Sequence, residues 1–265
     1  MTLDLESSLS ISTDSNERIA AAKALADKLS LPFAALNIEQ IQLVLTPQHL
    51  EVRAPELGKP ILIDFVEGKN AHRRQFGGGR GQPLAKAIGL KKGANPSVID
   101  ATAGYGRDAF VIANLGCKVT LIERNPLIAA LLDDALQRAS HNPDLAEVII
   151  RMSLINHDAT AYFDTLKTIE DAHFPDVIYP DVIYMDPMYP SRDKSALVKK
   201  DMRLLHQLAG PDTDSEQLLT TARTTAIKRV VVKRPKSAPF VGNQKPTTSI
   251  ESKNTRYDVY INLSE

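Results

Sequence analysis

The hydrophobic pattern of residues 96–263 alternates short apolar runs with segments that have the period of amphipathic helices. Parallel strands joined by helices produce such an alternation. We predict strands at residues 98–100, 117–123, 148–150 or 154–156, 182–185 and 229–233. We predict helices at 107–115, from Pro126 onward after the capping residue Asn125, and at 195–208, with an edge strand at 256–263. The pattern therefore indicates an α/β protein with a doubly wound sheet.

Residues 1–70 have a different pattern. A helical stretch at 16–29 precedes two strand-like runs, 41–45 and 49–53, and a further apolar run follows at 61–65. The turn residues between these runs favour a small α+β domain with an antiparallel sheet. The segment 71–95 is rich in glycine and basic residues, which is typical of a connector. We therefore expect a small domain at 1–70, a connector at 71–95 and the main domain at 96–265.

The sequence Pro-Asp-Val-Ile-Tyr occurs twice in succession, at 175–179 and 180–184. A central strand cannot run through both copies, because Pro180 has no N–H to donate to a neighbouring strand. We predict that the second copy forms the fourth strand of the main sheet, since it leads directly into Met185 and Asp186.

The composition indicates which classes of protein the chain can belong to. Hydrophobic residues make up 43% of the 265 residues, which is enough to bury a core. No apolar run is long enough to span a membrane and the first ten residues do not resemble a secretory signal, so a cytoplasmic protein is expected. The single cysteine, Cys117, begins an apolar run, which indicates packing and not a disulfide, a zinc ligand or a nucleophile. We expect no metal site.

The formal net charge is zero, but the charges are unevenly distributed. Residues 69–92 contain seven Lys and Arg and no acid, and residues 217–250 repeat that count. Two such clusters indicate a polyanionic partner, with plain solvated surface as the alternative. The candidate phosphate contacts are Arg73, Arg74, Arg80, Lys199, Lys200, Lys233, Arg234 and Lys236.

Acidic and glycine residues end or follow several predicted strands. Because ligands bind beyond the carboxyl ends of the strands in a doubly wound sheet, one crevice should collect Asp100, Gly104, Gly106, Glu123, Asp158 and Asp186. Gly104 and Gly106 allow a tight turn before a helix whose free N–H groups point at a ligand. Glu123 is placed to accept hydrogen bonds from the two hydroxyls of a ribose. A nucleotide-type cofactor is expected.

Two cofactors are compatible with the turn. Residues 104–109 satisfy the G-x-G-x-x-A pattern of nicotinamide dehydrogenases. Asp100, however, lies where its carboxylate would meet an amino group and not a pyrophosphate. S-adenosylmethionine, with its amine, sulfonium and ribose, fits these acids better.

The segment Asp186-Pro187-Met188-Tyr189 resembles the (Asp/Asn)-Pro-Pro-(Tyr/Phe) signature of amino-methyltransferases and differs from it at the third position. A carboxylate and the Pro187 carbonyl could accept the hydrogens of an exocyclic amine, and Tyr189 could stack on its ring. The candidate catalytic residues are therefore Asp186, Pro187 and Tyr189. A strand end followed by a turn is the structural alternative.

Residues 72–81, 100–110, 121–126, 185–200 and 230–235 together resemble the RsmJ (YhiQ) family of bacterial small-subunit ribosomal RNA guanine-N2 methyltransferases. The resemblance implies a class I, Rossmann-like methyltransferase fold and S-adenosylmethionine as the methyl donor. It also implies cofactor contacts at Arg107, Asp108, Glu123, Arg124, Asp158, Ala159 and Asp186. The Asp158-Ala159 pair departs from the small hydroxyl residues of the family at that position, and the repeated segment is foreign to the family pattern.

The function expected from these observations is methylation of the exocyclic N2 of a guanine in 16S ribosomal RNA, either free or in a ribosomal particle. The alternatives are a DNA or protein amino-methyltransferase, a nicotinamide oxidoreductase and a noncatalytic RNA-binding protein.

Overall fold

A seven-stranded sheet is the centre of the molecule. The computed structural model describes residues 9–55, 58–67, 79–91, 93–171, 179–188 and 213–262. In these ranges the large sheet contains β4 (Val98–Asp100), β5 (Val119–Glu123), β6 (Met152–Asn156), β7 (Val182–Met185), β8 (Arg229–Pro235), β9 (Thr248–Glu251) and β10 (Thr255–Ile261). The strand order is β6-β5-β4-β7-β8-β10-β9. The first five strands of that order are parallel, and β10 and β9 are antiparallel to their neighbours.

Helices cover both faces of this sheet. The elements are α1 (Ile19–Leu29), α2 (Pro83–Ala87), α3 (Arg107–Asn114), α4 (Pro126–Ser140), α5 (Ala146–Ile149), α6 (Ala159–Asp171) and α7 (Ser215–Thr225). Neighbouring strand residues point to opposite faces, so Tyr184 joins a core with α3 and α4, whereas Ile183 joins a core with α6 and α7. None of the helices in the described ranges is long and apolar enough to cross a membrane.

The amino-terminal unit forms a second, smaller sheet of β1 (Ser10–Thr13), β2 (Gln42–Leu45) and β3 (Leu50–Arg53). β2 and β3 are antiparallel as predicted, but β1 pairs parallel to β2, so the sheet is mixed and not purely antiparallel. The predicted apolar run at 61–65 forms only a single bridge between Val52 and Ile61. Its Phe65 instead stacks on Phe110 with ring centroids 4.9 Å apart, so the two sheets share one core.

Most predicted elements of the main sheet are confirmed. The third strand is Met152–Asn156, which settles the two alternatives in favour of the second. The other alternative, 148–150, is not a strand, because Val148 and Ile149 belong to the helix Ala146–Ile149. The terminal strand was wrongly predicted to be an edge, because β10 lies between β8 and β9. The helices α6 and α7 were not predicted, and the predicted helix at 195–208 lies outside the described residues.

The second copy of the repeated segment forms β7, as predicted. Pro180 precedes the strand, and its carbonyl accepts a hydrogen bond from the Ile227 N–H. Asp181 is held by Ser97 and, through a 2.7 Å ion pair, by Lys228. These contacts fix the start of the strand that ends at Met185, directly before Asp186. The first copy, apart from Tyr179, lies outside the described residues.

A side chain at Gly106 should destabilise the protein for steric reasons. It has φ of +66°, and a Cβ added there would lie 2.9 Å from Leu132 Cδ1 and 3.1 Å from the Phe65 ring. Gly93 also has a positive φ, +82°, but nothing lies within 4 Å of an added Cβ. We expect Gly106→Ala to lower the free energy of unfolding by about 1–3 kcal/mol more than Gly93→Ala, the usual cost of overpacking. Urea denaturation of the two variants measures this difference, and equal midpoints would contradict it.

Candidate active site

A cavity of about 380 Å³ lies at the carboxyl ends of β4, β5 and β7, where the strand order reverses direction. This is the place where ligands bind in doubly wound sheets. Most of the predicted site residues line it: Asp100, Gly104, Arg107, Asp108, Glu123, Arg124, Asp158, Ala159, Asp186 and Pro187. The tertiary structure therefore brings these residues together, although the first, Asp100, and the last, Pro187, are 87 positions apart in the chain.

The two glycines of the turn have different roles. Gly104 has φ of +51° and lines the cavity, and its N–H donates a 2.8 Å hydrogen bond to Glu123 Oε2. Gly106 precedes α3 in a left-handed conformation and faces Leu132, Phe65 and Leu121 in the core. Gly106 is not among the residues that line the cavity. Gly106 therefore has a packing role behind the turn, and its contact with the cofactor stays a prediction.

Glu123 ends β5 and is buried. One carboxylate oxygen accepts from the Gly104 N–H and the other from the Asn125 N–H, both at 2.8 Å. Burial raises the pKa of this carboxyl, and the two backbone hydrogen bonds partly oppose that rise. Each oxygen has a second lone pair, so the carboxylate can accept further hydrogen bonds in an orientation that is fixed in advance.

Asp100 ends β4 and is 2% exposed. Burial raises the pKa of its carboxyl to about 8, with Asp108 and Asp186 adding to the rise and the Thr102 N–H opposing it. The carboxyl is therefore mainly protonated at neutral pH in the protein alone. A cation placed beside it would favour its ionised form.

Lys233 joins three elements at the floor of the cavity. Its Nζ lies 2.7 Å from Asp108 Oδ2 and 2.7 Å from Asp186 Oδ2. The Tyr184 hydroxyl donates a 2.6 Å hydrogen bond to the same Asp108 oxygen. Burial acts to lower the pKa of Lys233, but Asp186 and Asp108 raise it by more, so the ammonium stays charged. Asp186 is also positioned through its N–H, which donates to Thr102 Oγ1 at 2.6 Å.

The remaining predicted cofactor contacts lie on the rim of the cavity. Arg124 forms a 2.8 Å ion pair with Asp214, which precedes α7. Asp158 Oδ1 accepts the Ala161 N–H and so caps the start of α6, placing Asp158 and Ala159 in the cavity wall. The Arg107 guanidinium lies over the Tyr105 ring, 5.1 Å from its centroid.

Two of the predicted phosphate contacts require correction. Lys233 is bonded to two carboxylates inside the cavity, and Arg234 is only 6% exposed. The exposed Arg80 guanidinium donates to its own chain, at the Lys91, Ala94 and Leu115 carbonyls and at Asn95 Oδ1, and its phosphate contact stays a prediction. Lys236 is half-exposed and paired with Glu251. The others, together with the catalytic candidate Tyr189, lie outside the described residues: Arg73, Arg74, Lys199 and Lys200.

The sequence prediction missed the place of Lys233 and Tyr184 in the site. One signal was available, because Lys233 follows three valines near the carboxyl end of a predicted strand. A residue there in a parallel sheet lies near the ligand-binding edge.

Comparison with known proteins defines the class. A family model described as "Putative SAM-dependent methyltransferase" matches residues 24–262. A crystal structure of a SAM-dependent methyltransferase from Neisseria gonorrhoeae superimposes with a TM-score of 0.73 at 33% identity, covering 95% of each chain. The fold and these matches define a SAM-dependent methyltransferase of the Rossmann-like class, which confirms the predicted fold and cofactor.

Curated relatives identify the family of methyltransferases to which the chain belongs. A protein named ribosomal RNA small subunit methyltransferase J from Nitrosococcus oceani is 51% identical over 255 residues, covering 95% of this chain and 97% of the relative. A protein of the same name from Aeromonas salmonicida is 50% identical over 248 residues, covering 92% and 94%. The chain therefore belongs to the ribosomal RNA small subunit methyltransferase J family, as its motifs indicated.

Glu123→Gln should behave as a disruptive substitution and not as a conservative one. Both carboxylate oxygens accept backbone N–H groups, so a glutamine must turn its NH₂ group towards one of them. We expect a loss of about 1–3 kcal/mol in the free energy of unfolding, the cost of leaving a buried donor unsatisfied. Glu147→Gln is the control, since the Glu147 side chain is 93% exposed. Chemical denaturation showing equal stabilities would mean that the turn does not depend on this carboxylate.

Proposed function

We propose that this protein transfers a methyl group from S-adenosylmethionine to the exocyclic N2 of a guanine in small-subunit ribosomal RNA. The observation that supports this most directly is the placement of Asp186 at the carboxyl end of β7, beside the cavity and fixed by Lys233 and Thr102. The names of the curated relatives add ribosomal RNA as the substrate class.

The donor side of the cavity fits the chemical groups of S-adenosylmethionine. In this proposal Glu123 accepts hydrogen bonds from the ribose hydroxyls, and Asp100 forms an ion pair with the amino group. The positive φ of Gly104 exposes backbone where a ligand can approach closely. The bound cofactor supplies an electrophilic methyl group, and the protein's contribution is to position it.

The exocyclic amine, which accepts the methyl group, is a poor nucleophile. The lone pair of an exocyclic amine is delocalised into the ring, and it becomes available only when the nitrogen becomes pyramidal. Asp186 and the Pro187 carbonyl accept the amine hydrogens and so favour that geometry in the transition state. After transfer the nitrogen is acidic and loses its proton to Asp186 or to water. The base must leave its stack to reach the cavity.

Guanine suits this carboxylate better than the other amino-bearing bases. Guanine presents the N1–H beside the N2 amino group, so the two oxygens of one carboxylate can accept from both. Adenine and cytosine present a ring acceptor beside the amine, which a carboxylate repels. Tyr189, proposed to stack on the base, lies outside the described residues, so its role stays a prediction.

Asp186→Ala should strongly slow methyl transfer in a folded protein. Alanine removes the side-chain acceptor for the amine, so we expect a loss of about 10²-fold or more in rate, the scale for removing one preorganised transition-state contact. Asp164→Ala on α6, where the aspartate is 64% exposed, is the matched control. The measurement is mass analysis of 16S ribosomal RNA nucleosides from a deletion strain carrying each variant. Methylation within threefold of the wild type would remove Asp186 from the mechanism.

The same deletion strain tests the substrate. Loss of N2-methylguanosine from 16S ribosomal RNA supports the proposal. If the strain instead lacks a methylated amine in DNA or in a protein, the substrate class is wrong.

Cofactor binding should release a proton from Asp100. The pKa of Asp100 is about 8, so its carboxyl is protonated at pH 6.5, and an ammonium placed beside it drives ionisation. Because binding requires the loss of this proton, the affinity for S-adenosylmethionine should rise with pH up to about 8. Calorimetry at pH 6.5 in buffers of different ionisation enthalpy should show release of about one proton by the wild type. Asp100→Asn should release none, and an equal release from both proteins would place the amino group elsewhere.

A further inference from the structure

Lys233 occupies a central position in the site although neither the chemistry above nor the family resemblance gives it a role there. It projects from β8, whose residue Val232 lies beside Met185 in the parallel pairing with β7. The next residues along the two strands are Lys233 and Asp186, so the sheet itself holds the ammonium next to the carboxylate. The pairing of Lys233 with Tyr257 of β10 supports the strand from its other side.

The ammonium lies between two carboxylates. Its Nζ is 2.7 Å from both Asp108 Oδ2 and Asp186 Oδ2, and 27% of the Lys233 side chain is exposed. Asp108 is further fixed by the Tyr184 hydroxyl. Asp186, with 42% of its side chain exposed, is the most exposed member of this group, and all of its members line the cavity.

We propose that Lys233 is a positioning residue for methyl transfer, which holds Asp186 ionised and oriented as the acceptor for the substrate amine while it neutralises Asp108. The proposal rests on the proposed function, because it assumes that Asp186 meets the amine. Lys233 acts through Asp186 and is not itself assigned a contact with the substrate.

Electrostatics explains why the lysine is needed. Several charged or titratable groups face Asp186 from the elements around it: Asp108 of α3, Asp100 of β4, Tyr184 of β7, and Lys233 and Arg234 of β8, with Arg107, Glu123 and His157 in the same cavity wall. Burial and the nearby Asp108 raise the pKa of Asp186 above its usual range, and Lys233 opposes that rise. Loss of Lys233 would therefore raise the pKa of Asp186 further. A neutral carboxyl is the weaker acceptor and cannot balance positive charge that develops on the nitrogen.

A structural ion pair and a positioning residue differ in their pH dependence. Loss of a purely structural contact lowers the rate by the same factor at every pH. Loss of the group that keeps Asp186 ionised instead moves the acid limb of the rate profile to higher pH, and the rate recovers where Asp186 ionises unaided. The acid limb moves to higher pH, and not to lower pH, because Asp186 is active in its deprotonated form.

The experiment measures single-turnover methyl transfer to 16S ribosomal RNA between pH 5.5 and 9 with Lys233→Met and Lys233→Arg. For Lys233→Met we expect the acid limb to move up by at least about one pH unit, so that the rate falls about tenfold at pH values on the acid limb of both proteins. At pH 9 Asp186 is ionised in both proteins, so the remaining loss should be smaller than at low pH and reflects only the lost orientation. Lys233→Arg keeps the charge and should keep the profile. A loss of equal size at every pH would overturn the proposal.

A second readout does not depend on activity. Carbon-13 NMR of the protein without cofactor follows the carboxyl of Asp186, assigned by comparison with Asp186→Asn. The Asp186 titration should move to higher pH in Lys233→Met. If that variant does not fold, the double variant Asp108→Asn/Lys233→Met removes one charge of each sign, and Asp186 should still titrate above the wild type. Titration at the wild-type pH in the folded variant would overturn the proposal.

The two proposals fail in different ways. Wild-type protein that leaves guanine N2 unmethylated would refute the proposed function, while the NMR titration would still decide whether Lys233 sets the ionisation of Asp186. Methylation by the wild type together with an unshifted Lys233→Met profile would refute the role of Lys233 alone.

Discussion

Burying several acids at one edge of a sheet is costly, and the site is organised around that cost. Asp100, Asp108, Glu123 and Asp186 all face the cavity at the carboxyl ends of parallel strands or at the start of α3. An unpaired ionised carboxylate away from water is strongly unfavourable. Three features of the structure reduce this cost. Two backbone N–H groups hold Glu123, Lys233 forms ion pairs with both Asp108 and Asp186, and Asp100 is mainly protonated at neutral pH.

These three solutions suit a methyl donor that carries positive charge. A protonated Asp100 is neutral in the protein alone and can ionise when a cation arrives, whereas Glu123 is oriented before any ligand binds. β4 lies between β5 and β7, so the strand order places Glu123 and Asp100 on one side of the cavity and Asp186 on the other. The proposed donor and acceptor sides correspond to these two sides.

The amino-terminal unit supports the turn that forms one wall of the cavity. Phe65 stacks on Phe110 of α3 and lies against Gly106, on the side of the turn away from the cavity. Arg138 of α4 donates a hydrogen bond to the Ile63 carbonyl in the same segment. The unit and the main sheet thus share a core, which packs against the turn at Gly106.

The sequence by itself determined the α/β class, the strands β4 and β7, the helix capped by Asn125 and the gathering of acids at one edge. These follow from hydrophobic periodicity, local capping and a general rule for parallel sheets. Only the tertiary structure decided the rest. The polar strand β9 has no apolar alternation to reveal it, so the edge was assigned to β10 instead. Lys233 was taken for a surface cation because its partner Asp108 lies 125 residues earlier, and pairing over that distance is set by how the strands assemble and not by neighbours in the chain.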